Sequence, residues 1–166
     1  MTLGLYFDKA GPTDAIPAVT VAGVIASTEE WTALTEEWDR ALSSFDRVED
    51  GVTVPGLPFF HMTDYDSGRG WYQDWYSRGV KMQRFGQLLD IIEKHVMGVI
   101  CASVAVADLK GWSPDPPAEV GLGLTGSWCM NSIPQFRHLV EHPDEQVVYV
   151  FEEGDVGYGK LEATYD

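Results

Sequence analysis

The sequence predicts an α/β fold: a mixed sheet, begun by an antiparallel hairpin and continued by parallel strands, layered with helices. Three observations predict it. The first residues alternate with the two-residue period of a strand, two long stretches repeat their apolar residues at helical spacing, and short apolar runs fall between and after them. At 166 residues the chain is long enough to bury a sizeable core, and a single domain spanning 1–166 is expected.

In Leu3 to Gly11, Leu3, Leu5 and Phe7 alternate with Gly4, Tyr6 and Asp8, and Gly11-Pro12 stops the run. A strand so near the start needs neighbours on both sides, which makes it a natural sheet centre with Asp8 at its carboxyl end. Ile16 to Ala26 reads as a second, antiparallel strand. Ser27-Thr28-Glu29-Glu30 has the spacing of a capping box and opens a helix whose apolar face is Trp31, Leu34, Trp38, Ala41 and Leu42. Ser43 to Pro58 is rich in turn residues. It leads into Phe59-Phe60-His61-Met62-Thr63-Asp64 and then the aromatics Trp71, Tyr72, Trp75 and Tyr76. A second helix follows over Ser77 to Met97, with Phe85, Leu88, Leu89, Ile92 and Val96 on one face. Val99 to Ala107 is almost wholly apolar, the pattern of a strand covered on both faces, and Asp108 follows it. Lys110 to Gly126, with Pro114, Pro116 and Pro117, reads as a long loop. A helix over Ser127 to Glu141 should be kinked or delayed by Pro134, and a last strand, Gln146 to Phe151, runs into Glu152, Glu153 and Asp155.

Composition narrows the function. Hydrophobic residues at 45% exclude a disordered chain, and a net charge of -15 repels nucleic acid at long range unless metal ions or a local basic stripe intervene. Cys101 and Cys129 both lie in apolar runs, which suggests buried free thiols in a reducing compartment, and no Cys/His spacing suits zinc. The first residues lack a basic region and a long apolar core, and no run is long enough to span a membrane, so a cytoplasmic protein is expected.

The chemistry on offer is carboxylate chemistry. With the first, third and fourth strands parallel and adjacent, Asp8, Asp108, Glu152 and Asp155 would reach one sheet edge, a site for Mg²⁺ or Mn²⁺. Each acid taken singly also reads as a solvated loop end. His61, with Asp64 three residues on, reads as a general base, a metal ligand or a positioning group, and equally as a hydrogen-bonded structural residue. Arg78, Lys81 and Arg84, with Arg69, form a stripe that suits phosphates or simply the wet face of a helix.

Tyr6-Phe7-Asp8-Lys9-Ala10-Gly11, the apolar strand Ala18 to Ile25, and above all Phe60-His61-Met62-Thr63-Asp64 resemble the domain of unknown function 3800 family, a set of microbial and phage proteins. The resemblance covers nearly the whole chain in order and implies a ribonuclease H-like fold with a strand-end acidic site. Two departures stand out. Lys9 and Ala10 replace an acid and a serine of the family pattern, and the chain stops at Tyr165-Asp166, where the family continues into a further helix that commonly supplies another metal-binding acid.

Two functions compete on these residues. One is a metal-dependent phosphodiester hydrolase, nuclease-like, with Asp8, Asp108, Glu152 and Asp155 as ligands and His61 and Asp64 assisting. The other is a catalytically inactive acidic module that binds another protein. A homodimer is also expected, because the last strand leaves apolar surface that a second copy can bury.

Overall fold

The computed structural model describes residues 2–11, 17–110, 117–139 and 144–151. The chain divides into two compact units, one made of Met1–Thr28 with Val96–Asp166 and the other of Glu29–His95.

The first unit holds a four-stranded mixed sheet: β1 (Thr2–Ala10), β2 (Ala18–Ser27), β5 (Gly98–Ala105) and β6 (Gln146–Phe151), in the order β5-β2-β1-β6. As expected for a central strand, β1 has neighbours on both sides, antiparallel β2 and parallel β6. Its alternation does the sorting. Leu3, Leu5 and Phe7 are buried together with Val19, Val21 and Ile25 of β2, while Tyr6 and Asp8 face the other way and are exposed.

One expectation fails in the sheet order. β5 runs in the same direction as β1, but β2 lies between them, so the first and third strands are not adjacent. The dense apolar run of β5 is not covered on both faces either. It alternates half-buried with exposed residues, Val99 at 63% and Cys101 among the exposed, and the expected burial of Cys101 is thereby corrected. Ala, Ser and Cys are small enough for water to reach such a face, and apolar composition alone does not report which side is covered.

The buried face of the sheet packs on α6 (Pro117–Asn131) and α7 (Ile133–Leu139) through Leu122, Cys129, Met130 and Ile133. Much of the expected 110–126 loop is therefore helix. Pro117 occupies the first helical position, where a missing N–H breaks no intrahelical bond, so the proline marks a start and not a loop. Pro134 falls likewise in the first turn of α7, after a break at Ser132. A four-residue turn of helix, α5 (Val106–Leu109), closes β5 two residues earlier than the apolar run suggests.

The second unit contains α1 (Thr28–Ser44, from Glu29 on), the hairpin β3 (Asp46–Glu49) and β4 (Val52–Pro55), α2 (Met62–Ser67), a 3-10 turn at Gly70–Tyr72, α3 (Gln73–Ser77) and α4 (Lys81–His95). Its core is aromatic. Phe45, Tyr65, Tyr72 and Trp75 are buried with Leu42, Leu57 and Leu88, and Tyr72 meets Trp75 edge-on at 5.1 Å, an arrangement that suits the ring quadrupoles.

Candidate active site

Asp8 lies inside β1, two residues from its end, on the exposed face of the sheet. Its Oδ1 accepts the Lys9 N–H at 2.7 Å. Strand alternation sends the Lys9 side chain to the opposite face, so this cation does not share Asp8's side of the sheet. In register, Asp8 stands beside Ala22 of β2 and, across it, Cys101 of β5.

Asp108 is not at this level. It lies in α5, exposed, seven positions beyond Cys101 along the chain, and β2 separates its strand from β1 by two inter-strand spacings, roughly 10 Å. The expected meeting of Asp8 with Asp108 at adjacent strand ends is corrected accordingly. Glu152 and Asp155 lie outside the described residues. Among the described residues no group of three His, Cys, Asp or Glu side chains is placed to hold a metal ion.

The second candidate set, in the other unit, does come together. His61 is the N-cap of α2, with extended backbone (φ -124°, ψ 109°), and its carbonyl accepts the Tyr65 N–H at 3.0 Å. The helix that starts there returns Asp64 to the imidazole, with Nδ1 and Oδ2 at 2.9 Å. Because a carboxylate only accepts, Nδ1 carries the proton and the Nε2 lone pair is left as the basic site. The two side chains are 56% and 47% exposed, so the pair is open to solvent.

Tyr72 holds this dyad in place. Its buried hydroxyl accepts the His61 N–H at 2.8 Å and donates to the Phe59 carbonyl at 3.5 Å. Burial pushes the Tyr72 phenol above its usual range, so it stays protonated and keeps both roles. Of the aromatics that follow in sequence, Tyr72 and Trp75 are core residues, and Tyr76 is exposed.

The cationic stripe is committed elsewhere. Arg78 bonds Asp46 and Asp74, Arg84 bonds Asp46 and lies over the Trp75 ring at 4.5 Å, and Lys81 donates to the Asp66 carbonyl and sits 4.4 Å from the Tyr65 ring centre. The three are thus more than a plain wet face: Arg78, at the end of α3, and Arg84, in α4, bond β3, and Lys81 lies against the aromatic core. Two further residues escaped the sequence reading. Arg47, over Trp71 at 5.5 Å, bonds Glu49 and the Pro55 and Gly56 carbonyls. His95, 6% exposed, faces Glu30 at 2.6 Å through Nδ1 and Glu37 at 3.4 Å through Nε2, clamping α1 to α4. Lys94 beside Glu37, helped by His95, holds the Glu37 carboxyl below its usual range.

No described helix is long and apolar enough to cross a membrane. In comparison with known proteins, no family model, curated protein or solved structure matches this chain.

Proposed function

We propose that this chain is a phosphodiester hydrolase of the metal-dependent, nuclease-like type, built on a ribonuclease H-like sheet. The observation that carries the reading is the parallel pairing of β1 with β6: the partners Phe7 and Phe151 are each followed in the chain by a carboxylate, Asp8 and Glu152. The resemblance of Phe60-His61-Met62-Thr63-Asp64 to the family named above supports the same reading.

The described donors do not complete a Mg²⁺ or Mn²⁺ centre, since Asp8 contributes one carboxylate and a hard divalent ion needs several oxygen ligands. Glu152 and Asp155 are the proposed further ligands. Such an ion, when bound, supplies Lewis acidity and stabilises a leaving oxygen. The chain's own residues supply proton handling. Within its own unit, the His61–Asp64 pair offers a base whose Nε2 takes a proton from a hydroxyl or water, while Asp64 keeps the tautomer and stabilises the imidazolium that forms.

A second reading, an inactive acidic module that binds a protein partner, is favoured by one observation. Arg78, Arg84 and Lys81 each bond a group within the chain, so the helical stripe that suited phosphates is already engaged, in a chain of net charge -15.

Calorimetric titration with Mn²⁺, paired with hydrolysis assays on single- and double-stranded RNA and DNA, separates the two. The hydrolase reading expects metal binding that weakens roughly ten-fold or more in Asp8→Asn, and activity that falls about a hundred-fold in His61→Gln. Absence of binding heat and of hydrolysis in the wild type overturns it in favour of the binding module.

A further inference from the structure

We infer that Phe59, His61 and Arg69 form a binding site for single-stranded nucleic acid, with one unstacked base on the Phe59 ring and the adjoining phosphodiester at His61 and Arg69. The site rests on the hydrolase reading for the polymer it takes, and it adds the form of that polymer. All three residues belong to the second unit. Three consecutive side chains there sort by side. Phe60 turns into the aromatic core, its ring centre 5.3 Å from Tyr65 and 5.7 Å from Tyr72. Phe59 and His61, before and after it, are 55% and 56% exposed, the alternation that extended backbone gives to residues two apart. The Tyr72 hydroxyl bonds both of them, through the His61 N–H and the Phe59 carbonyl.

An exposed phenylalanine alone means little. This one is braced. Its ring meets Trp71 at 5.2 Å and 61°, and Trp71 is backed in turn by the Arg47 guanidinium, which bonds Glu49 and the Pro55 carbonyl. A ring held by its neighbours yet more than half exposed is a preorganised stacking face. A base gains on it without the ordering cost that a loose side chain carries.

Arg69 supplies the charge. Its N–H donates to the Asp64 carbonyl at 3.0 Å and its carbonyl accepts the Tyr72 N–H at 3.1 Å, so its backbone is tied to the two residues that hold His61. Arg47, Arg78 and Arg84 are paired with acids, whereas the exposed Arg69 side chain bonds no described residue and leaves a guanidinium for a phosphate. Ring, imidazole and guanidinium together match the base and the phosphate of one nucleotide. A duplex fits poorly, because its bases are already stacked on one another and its denser phosphates meet a net charge of -15.

Fluorescence anisotropy with the full chain at about 20 mM salt tests this, using labelled oligouridylate and oligothymidylate of about ten nucleotides and a duplex of the same length. At least one single strand is expected to bind roughly ten-fold or more tightly than the duplex, and the two strands tell RNA from DNA. Phe59→Leu keeps apolar bulk but loses the aromatic face, and should weaken that binding roughly ten-fold, whereas Phe59→Tyr should retain it. Arg69→Gln should flatten the slope of log affinity against log salt by roughly 0.7, the share of one phosphate contact. Binding with these dependences but no hydrolysis retires the hydrolase reading alone and supports the site. Hydrolysis with no preference for single strands, or with no effect of Arg69→Gln on the salt slope, overturns the site and leaves the hydrolase reading intact, even if Phe59→Leu fails to fold. Absence of binding to every strand overturns the site as well.

Discussion

Arg84 reaches Asp46 twice, through Nη2 to the carboxylate and through Nη1 to the Asp46 carbonyl at 2.9 Å. The same carbonyl accepts the Trp75 indole N–H at 2.9 Å, and Arg78, the C-cap of α3, bonds the carboxylate. One acid at the start of β3 thus ties a hairpin, the short helix α3 and the long helix α4 into one aromatic core.

Asp46→Asn is therefore expected to destabilise the chain by about 2–4 kcal/mol at neutral pH, since it leaves two guanidinium groups short of an anion. The arginines, Arg78 foremost, hold the Asp46 carboxyl down at about 2, against an ordinary 3.8. A depressed carboxylate stabilises the fold above its unfolded pKa, and that contribution, about 2 kcal/mol, is lost as pH falls through the folded value. Urea denaturation of wild type and variant should show a gap that is full at pH 6 and mostly closed near pH 2. A gap independent of pH would refute the ionic account.

Tyr72→Phe keeps the ring packing and removes only the hydroxyl that anchors the His61 amide. The expected loss of stability is about 1 kcal/mol, the net value of one buried hydrogen bond. The informative readout is the imidazole. Its NMR signals should shift and broaden as the N-cap loosens, and any hydrolysis should lose kcat more than KM. Unchanged His61 resonances would mean that α2 alone positions the dyad.

How much of this was legible in the sequence depends on how local the cause is. Strand alternation around Leu3, Leu5 and Phe7 and the helix periods of α1 and α4 are set by neighbours in sequence, and the structure has them, except that Leu89 of the expected α4 face is 46% exposed and Val96 lies beyond the helix. So is the His61–Asp64 contact, a three-residue spacing on the first turn of a helix. The hairpin is not foreseen although its signal is local: Asp50-Gly51, with φ of 51° and 80°, stands just before the β-branched run Val52-Thr53-Val54. The role of Asp46 was not legible, because its partners Arg78 and Arg84 are 32 and 38 positions away and only the fold selects them. The insertion of β2 between β1 and β5 is a topological fact of the same kind, and it is what keeps Asp108 from Asp8.

Gly23 stands opposite Phe7 across the β1–β2 ladder, and a methyl group there would meet the Phe7 ring at 2.5 Å. The ring has little room to retreat, being 7% exposed and stacked on Tyr149 at 6.4 Å. Gly23→Ala is expected to cost about 1–3 kcal/mol by overpacking. In the double variant with Phe7→Leu, the coupling should recover a large part of that cost. Strict additivity in chemical denaturation would place the strain somewhere other than this contact.

The two cysteines differ in a way that a thiol reagent can count. Cys129 is 1% exposed, its Sγ lies 3.5 Å from the Val21 carbonyl, and burial pushes the thiol up to about 11 from 9.0. Two units of pH reduce its thiolate fraction about a hundred-fold, and the ring of core residues blocks the reagent as well. Cys101, on the exposed face of β5, is open to the reagent. At pH 8 and low protein concentration, one thiol per chain should react promptly with an aromatic disulfide and the second only on adding denaturant. Cys101→Ser should abolish the prompt phase. Two prompt thiols in the folded wild type would contradict the packing of α6 on β2, because Cys129 is reachable only if that contact opens.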